Sequence, residues 1–428
     1  MESKHNRNLD ILRGIAALVV VGFHLISCYP RAFDKNYELG NLVHYNFPGH
    51  MSVLVFFILS GYVISINTKP LIDKKSIFVY IRKRLTRIVP IYVLALLFTV
   101  TITFSNYNVI TILSNLFFIS VPFDNVMIEN GPLWSLNYEL LYYFVFIFFS
   151  FYNISMVKTV KVLAIAIATL FIFCHNIKIY PLAISYLIGF LFWATGAMIA
   201  EVKTWPMWHV SASRMIAVFI LMFCLQPFNP YGPVLKVLKL HVTDYSAYSW
   251  YQQSISWTDI YYYPLTILLI LSLTHSYTKN YRYLLYFIYV SAVFRLVMIY
   301  KTYSLDFIIR EHYVVPAVIL ITSIVFWVVN FEINAKARQV LQSASSLGSI
   351  SYGVYMVHMP IIYFFGMTTS PSWFVFAIKL AGYAITLLVV SYLLEHKYQS
   401  WIKRMLRKVF DKTPARVVIP SNDQRSIP

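Results

Sequence analysis

The sequence predicts an all-α polytopic membrane protein, and three observations carry that reading. Hydrophobic residues make up 59% of the 428-residue chain and charged residues only 12%, against roughly half and a quarter in soluble domains. The mean hydropathy is +0.65. Apolar runs follow one another at 11–27, 51–67, 90–106, 133–152, 160–175, 183–200, 214–228, 262–276, 283–300, 313–330, 349–366 and 373–394. A helical crossing needs about 20 residues, so the chain is expected to make about 10–12 transmembrane helices. An aromatic share of 18% excludes a disordered chain.

Charge sets the expected orientation. A net charge of +18 would suggest nucleic acid for a soluble protein, but here the positive-inside rule accounts for it and no nucleic-acid partner is expected. With the N-terminus inside, 25 of the 35 Lys and Arg fall in cytoplasmic segments, counting Lys161 and Arg214 at the inner ends of their runs, and 7 in outer ones, while Arg13, Arg295 and Lys379 lie within spans. Both termini are therefore expected in the cytoplasm. Lys4 and Arg7 precede an apolar run as in a signal peptide, but Arg13 interrupts that run and no A-x-A site follows. It reads as a retained first helix. Cys28, Cys174 and Cys224 are widely spaced and odd in number, so neither a disulfide framework nor a metal site is expected.

The first helix, RGIAALVVVGFH, holds Arg13 and His24 eleven residues apart. Eleven residues return the chain to within about 20° of the same face, about 16 Å further along. One reading is a snorkelling Arg and a satisfied helix-end His; the other is a functional pair along one groove. The second run contains FFILSGYVI. Residues 68–89 carry seven basic residues, six of them interleaved with apolar ones in KKSIFVYIRKRLTRIV, which reads as an amphipathic cytoplasmic helix suited to anionic lipid. Arg82, Arg84 and Arg87 precede Pro90 there, and guanidinium forks suit phosphate. Residues 109–121 are expected as a surface-lying or re-entrant piece.

In the fourth span, GPLWSLNYELLYY puts Glu139 about two turns in, at a depth like that of His24. A carboxylate there needs a partner or a wet cavity, and His24 is the expected partner. Trp134 is either a belt aromatic or a site residue. Ser135 either shares the face of Glu139 or caps the helix. On the eleventh span, Ser351, Tyr355 and His358 follow helical spacing in LGSISYGVYMVHMPII. A structural His bonded to Tyr or Ser is the simpler reading there. The outer loop 229–263 carries nine Tyr or Trp residues, suited to sugar stacking or to an interfacial belt. Residues 1–394 are expected to form the membrane domain. Residues 395–428 form a basic cytoplasmic tail, partly disordered towards its end.

Five motifs in order resemble those of acyltransferase family 3, the integral-membrane sugar O-acyltransferases: Arg13-x10-His24, FFILSGYVI (56–64), RKRLTRIVPIY (82–92), WSLNYELLYY (134–143) and SYGVYMVHMPI (351–361). The last helix departs from the family pattern, since LLEHKYQS keeps Glu395 but lacks the following Pro. The chain resembles the stand-alone members without a C-terminal hydrolase-like domain. The resemblance implies acetyl-CoA or another acyl-CoA as donor and a glycan hydroxyl as acceptor across a bacterial inner membrane, such as a surface or lipid-linked polysaccharide. It implies CoA phosphates at Arg82, Arg84 and Arg87 with Arg13 at the groove mouth, and His24 as general base oriented by Glu139. A covalent acyl-His24 is an equal route. Trp134, Ser135, Tyr355 and His358 are candidate substrate or oxyanion contacts. The rival class is a transporter or flippase using His24 and Glu139 as a proton relay.

Overall fold

The computed structural model describes residues 7–32, 47–103, 107–174, 181–202, 210–229, 250–274, 279–310, 313–332, 339, 343, 345–366, 370 and 372–410. Every regular element among them is helical, with no strand. In chain order these are α1 (Arg7–Ala32), α2 (Gly49–Asn67), α3 (Lys74–Thr103), α4 (Val109–Leu116), α5 (Trp134–Phe151), α6 (Met156–Cys174), α7 (Pro181–Glu201) and α8 (Ala212–Phe228). There follow α9 (Tyr263–Leu273), α10 (Lys279–Thr302), α11 (Leu305–Arg310), α12 (Val314–Val329), α13 (Ser345–Gly366), α14 (Trp373–Tyr392) and α15 (Gln399–Phe410). Each of the twelve apolar runs falls on a helix. Eight helices among the described residues are long and apolar enough to cross a bilayer. Residues 212–228, 257–273 and 314–329 form shorter apolar helices.

Caps and breakers set the helix ends. Asn108, Ser211 and Ser372 accept the N–H of Thr111, Arg214 and Val375 at the starts of α4, α8 and α14, a satisfied N-cap in each case. Asn229 and Asn330 end α8 and α12 in the left-handed region, where Asn is tolerated better than most residues. Arg295, buried by sequence in a span, donates from Nε to Phe228 O at 2.7 Å. A cation at a helix C-terminus satisfies an orphan carbonyl and suits the dipole.

Two tight helix crossings organise the bundle. A Cβ on Gly61 would lie 1.8 Å from Trp193 O, and one on Gly196 would lie 1.8 Å from Ile58 O, so α2 and α7 touch backbone to backbone. α1 and α13 cross likewise at Gly14 and Gly348, where a Cβ on Gly348 would sit 2.3 Å from Asp10 O. Small residues permit such approaches in membranes, where packing replaces the hydrophobic drive between helices. The central α7 is the most deeply buried of the candidate spans, whereas those built on α6, α10 and α14 are the least buried. Those three present wide apolar faces such as Ile165, Val290 and Ile385, which fits a lipid-facing periphery.

The segment expected as a separate amphipathic helix before Pro90 is instead the first half of α3, which runs unbroken through that proline. Pro90 removes the N–H that would reach Thr86 O. Gln399 Nε2 donates to that same carbonyl at 2.6 Å, so α15 repairs the lost bond. Pro360 inside α13 frees Met356 O in the same way, and Asn130 Nδ2 donates to it at 3.0 Å. Side chains that re-satisfy freed carbonyls are what lets Pro persist in buried helices. The helix also continues past Glu395, through a π-helical turn at Leu393–Tyr398 into α15. Glu395 Oε1 accepts the Gly353 N–H at 3.2 Å. The remaining tail, 411–428, lies outside the described residues, as does 230–249 of the aromatic outer loop.

Candidate active site

α1 carries Arg13 and His24, and its crossing with α13 sets His24 beside His358. His358 Nε2 lies 3.2 Å from His24 Nδ1, with ring centroids 5.0 Å apart. His24 Nδ1 is also 2.8 Å from Val20 O, and His358 Nδ1 is 2.8 Å from Tyr355 O. A carbonyl only accepts, so each Nδ1 carries the proton. In the neutral pair, His24 Nδ1–H therefore faces Val20 O and the lone pair of His358 Nε2. His24 Nε2 is left with no hydrogen-bond partner among the described residues.

The expected partnership of His24 with Glu139 is corrected here. Glu139 Oε1 accepts from Ser60 Oγ at 2.7 Å and from the Tyr143 hydroxyl at 2.5 Å, on α2 and α5. Its neighbours are these hydroxyls and the basic cluster, not the histidines. Between the two groups lie Ser135 and Tyr355, whose hydroxyls are 2.8 Å apart; the Tyr355 hydroxyl donates to Pro132 O at 2.8 Å. The Tyr355 ring packs at 5.6 Å from Phe56 and 6.0 Å from His358.

A cavity of about 360 Å³ is lined by Asp10, Arg13, Ser60, Lys83, Arg84 and Arg87 among its polar groups, together with Ser135, Glu139, Tyr143 and Tyr355. Beside it, a pocket of about 490 Å³ shares Asn67, Lys83 and Arg84 and adds Lys69 and Lys75. Arg13 pairs with Asp10 at 3.4 Å. Arg84 is 9% exposed and donates to Thr68 Oγ1 at 3.2 Å. Its guanidinium lies over the rings of Tyr80 and Tyr143, while its Nε has no partner among the described residues. A buried guanidinium with an unused donor beside Arg13, Lys83 and Arg87 is a site built for an anion.

Of the residues expected from sequence, Arg13, Arg84, Arg87, Ser135, Glu139 and Tyr355 share this cavity. Arg82 does not line it; Lys83, one residue on along the helix, does. Trp134 is buried against Tyr138 and Phe57 and is not a belt aromatic at the surface. Ser351 lines the cavity, while its hydroxyl is bonded to Gly348 O. Ser60 and Tyr143 received no role from the sequence, although Ser60 sits in the FFILSGYVI motif and Tyr143 closes WSLNYELLYY. Each motif holds one half of a contact that only folding assembles. Among the described residues no His, Cys, Asp and Glu cluster is arranged for a metal.

A membrane-embedded bundle with an imidazole pair above a cationic cleft defines a class, and the comparisons agree with it. The chain belongs to the acyltransferase family that its motifs resemble: the family model, described as an acyltransferase domain, matches residues 6–285. That match includes Arg13, His24, the arginine cluster and Glu139, and ends before Tyr355 and His358. The chain is similar to the acyltransferase MdmB of Streptomyces mycarofaciens, with 28% identity over 152 residues, 32% of this chain and 38% of that protein. The chain thus matches well under half of that relative's length. No solved structure matches.

Proposed function

We propose that the protein is an O-acyltransferase that moves an acyl group, acetyl in the first instance, from acyl-CoA to a glycan hydroxyl across a bacterial plasma membrane. One observation carries this reading: a cavity lined by Arg13, Lys83, Arg84 and Arg87 also reaches the Ser135 and Tyr355 hydroxyls, and the Tyr355 ring lies 6.0 Å from His358, the ring that faces His24. Such a gradient suits a donor with phosphates at one end and a thioester at the other. The excess of Lys and Arg in alternate loops supports a cytoplasmic position for the basic end. The contact of Gln399 with Thr86 fits that orientation, since it brings the C-terminal helix against the basic half of α3.

In this reading Arg84, Arg87 and Lys83 hold the donor phosphates, with Arg13 at the start of the groove. Glu139 anchors the wall through Ser60 and Tyr143 and balances part of the cationic charge. His24 Nε2 takes the proton of the acceptor hydroxyl as its oxygen attacks the thioester carbon. Ser135 and Tyr355 reorient their hydroxyls towards the developing oxyanion. The C–S bond then breaks, and the thiolate leaves with the proton that His24 holds. A positioned proton transfer of this kind contributes about 10²–10⁴ in rate.

The test feeds labelled acetyl-CoA to membranes containing the protein and reads label in the glycan fraction, comparing the parent with His24→Ala at matched expression. Label in the parent that vanishes in the variant supports acyl transfer through His24. Unlabelled glycan, with the donor unconsumed and the glycan composition of producing cells unchanged, rejects it in favour of transport.

A further inference from the structure

The acyl-transfer reading needs a base that is held and a cation that is tolerated, and no carboxylate among the described residues supplies either. Among the described residues, the rings of His24 and His358 meet each other, backbone carbonyls and aromatic edges, including Phe23 at 5.0 Å and Tyr355 at 6.0 Å. His358 is fully buried, on a helix pinned to α1 by the Gly14–Gly348 crossing. A fully buried imidazole is well packed without facing another, so a structural role alone does not call for a ring nitrogen 3.2 Å from His24.

We propose that His358 is the positioning partner of His24, a neutral imidazole occupying the place that a carboxylate holds in a Ser–His–Asp triad. The inference rests on the acyl-transfer reading of the site. Tyr355 O fixes the His358 proton on Nδ1, so Nε2 presents a lone pair. That lone pair and Val20 O share the His24 Nδ1–H, which leaves His24 Nε2 as the basic atom. When the acceptor hydroxyl gives its proton to His24 Nε2, the imidazolium charge is spread over a hydrogen bond that already exists. The same proton then passes to the departing CoA thiolate, and both rings return to their starting tautomers. No oxidant or further reactant is required.

The test is a pair of variants, His358→Leu and His358→Gln, in membranes supplied with acetyl-CoA, with release of free CoA thiol as the readout. Leu removes the acceptor; Gln carries an oxygen at a reach similar to Nε2. The expected result is a kcat about 10²-fold lower for His358→Leu with KM for acetyl-CoA within twofold of the parent, and recovery of about tenfold by His358→Gln. Parent-like turnover by His358→Leu overturns the proposal. So does a rise in KM with kcat intact, or a Gln variant no better than Leu at matched folding in size exclusion. If the parent itself releases no CoA, the acyl-transfer reading has failed, and ¹⁵N-histidine spectra decide the pairing separately. A His24 Nδ1 resonance that moves in His358→Leu supports the pair; an unmoved one overturns it.

Discussion

Replacing Gly348 by Ala is the sharpest test of how the fold positions the histidines. The added methyl would lie 2.3 Å from Asp10 O and 2.6 Å from its carbonyl carbon, where ordinary contact begins at 3.4 Å. Both obstacles are backbone, so no rotamer relieves them, and α1 and α13 must part by about 1 Å at the crossing. The His24–His358 contact is 3.2 Å and, if the displacement carries along the helices, passes out of hydrogen-bond range after about a third of it. An offset of about 1 Å at reacting groups costs on the order of 10² in rate. Gly14→Ala meets its neighbours at 2.8 to 2.9 Å and is expected to cost less. The assay is acetyl-CoA turnover by detergent-purified protein, with a melting curve for each variant. The expected order is parent, Gly14→Ala, Gly348→Ala, with kcat falling faster than KM rises. A Gly348→Ala protein with parent turnover and an unshifted melting curve would refute the backbone-contact reasoning.

Three further outcomes follow from the site and its supports. Arg84→Lys keeps the charge but loses the fork, and is expected to raise KM for acetyl-CoA about tenfold with kcat little changed, in steady-state kinetics at fixed ionic strength. Glu139→Gln retains an oxygen for Ser60 and Tyr143 and is expected to keep the parent melting midpoint, whereas Glu139→Ala leaves those hydroxyls only their 3.3 Å contact with each other and loses about 1–3 kcal/mol, read by thermal unfolding in detergent. Asn130→Leu leaves Met356 O unpaired beside Pro360 and is expected to destabilise by about 1–3 kcal/mol. The cost should shrink in the Pro360→Ala background, where a backbone N–H can reach that carbonyl, and additive melting shifts would contradict the repair role of Asn130.

Much of the helix plan is legible in the chain, because an apolar run of span length has few alternatives to a helix in a bilayer. What escapes is whatever depends on a residue far away. Pro90 reads as a boundary since proline breaks helices, and only Gln399, more than three hundred positions on, keeps α3 whole. Arg13, His24 and Glu139 stand out as ionisable groups inside spans. Their partners do not: depth alone made Glu139 the natural companion of His24. The Gly14–Gly348 contact instead delivers His358, while the LSG turn of α2 delivers Ser60 to Glu139. Within the basic segment, spacing picked out the arginines by chemistry. Helix phase in the folded state put Lys83, rather than Arg82, on the cavity wall.

The central claim is that donor and acceptor reach one site from opposite faces of the membrane, the donor by way of Arg84 and the acceptor at His24. The direct measurement uses proteoliposomes of known orientation, with labelled acetyl-CoA supplied on one face only and a glycan acceptor trapped on the other. Label is expected in the acceptor only when the donor is on the face carrying the basic half of α3, and Arg84→Ala and His24→Ala should each remove it. Acceptor labelled only when it shares a face with the donor, or glycan crossing the membrane without acetyl-CoA consumption, would contradict the claim.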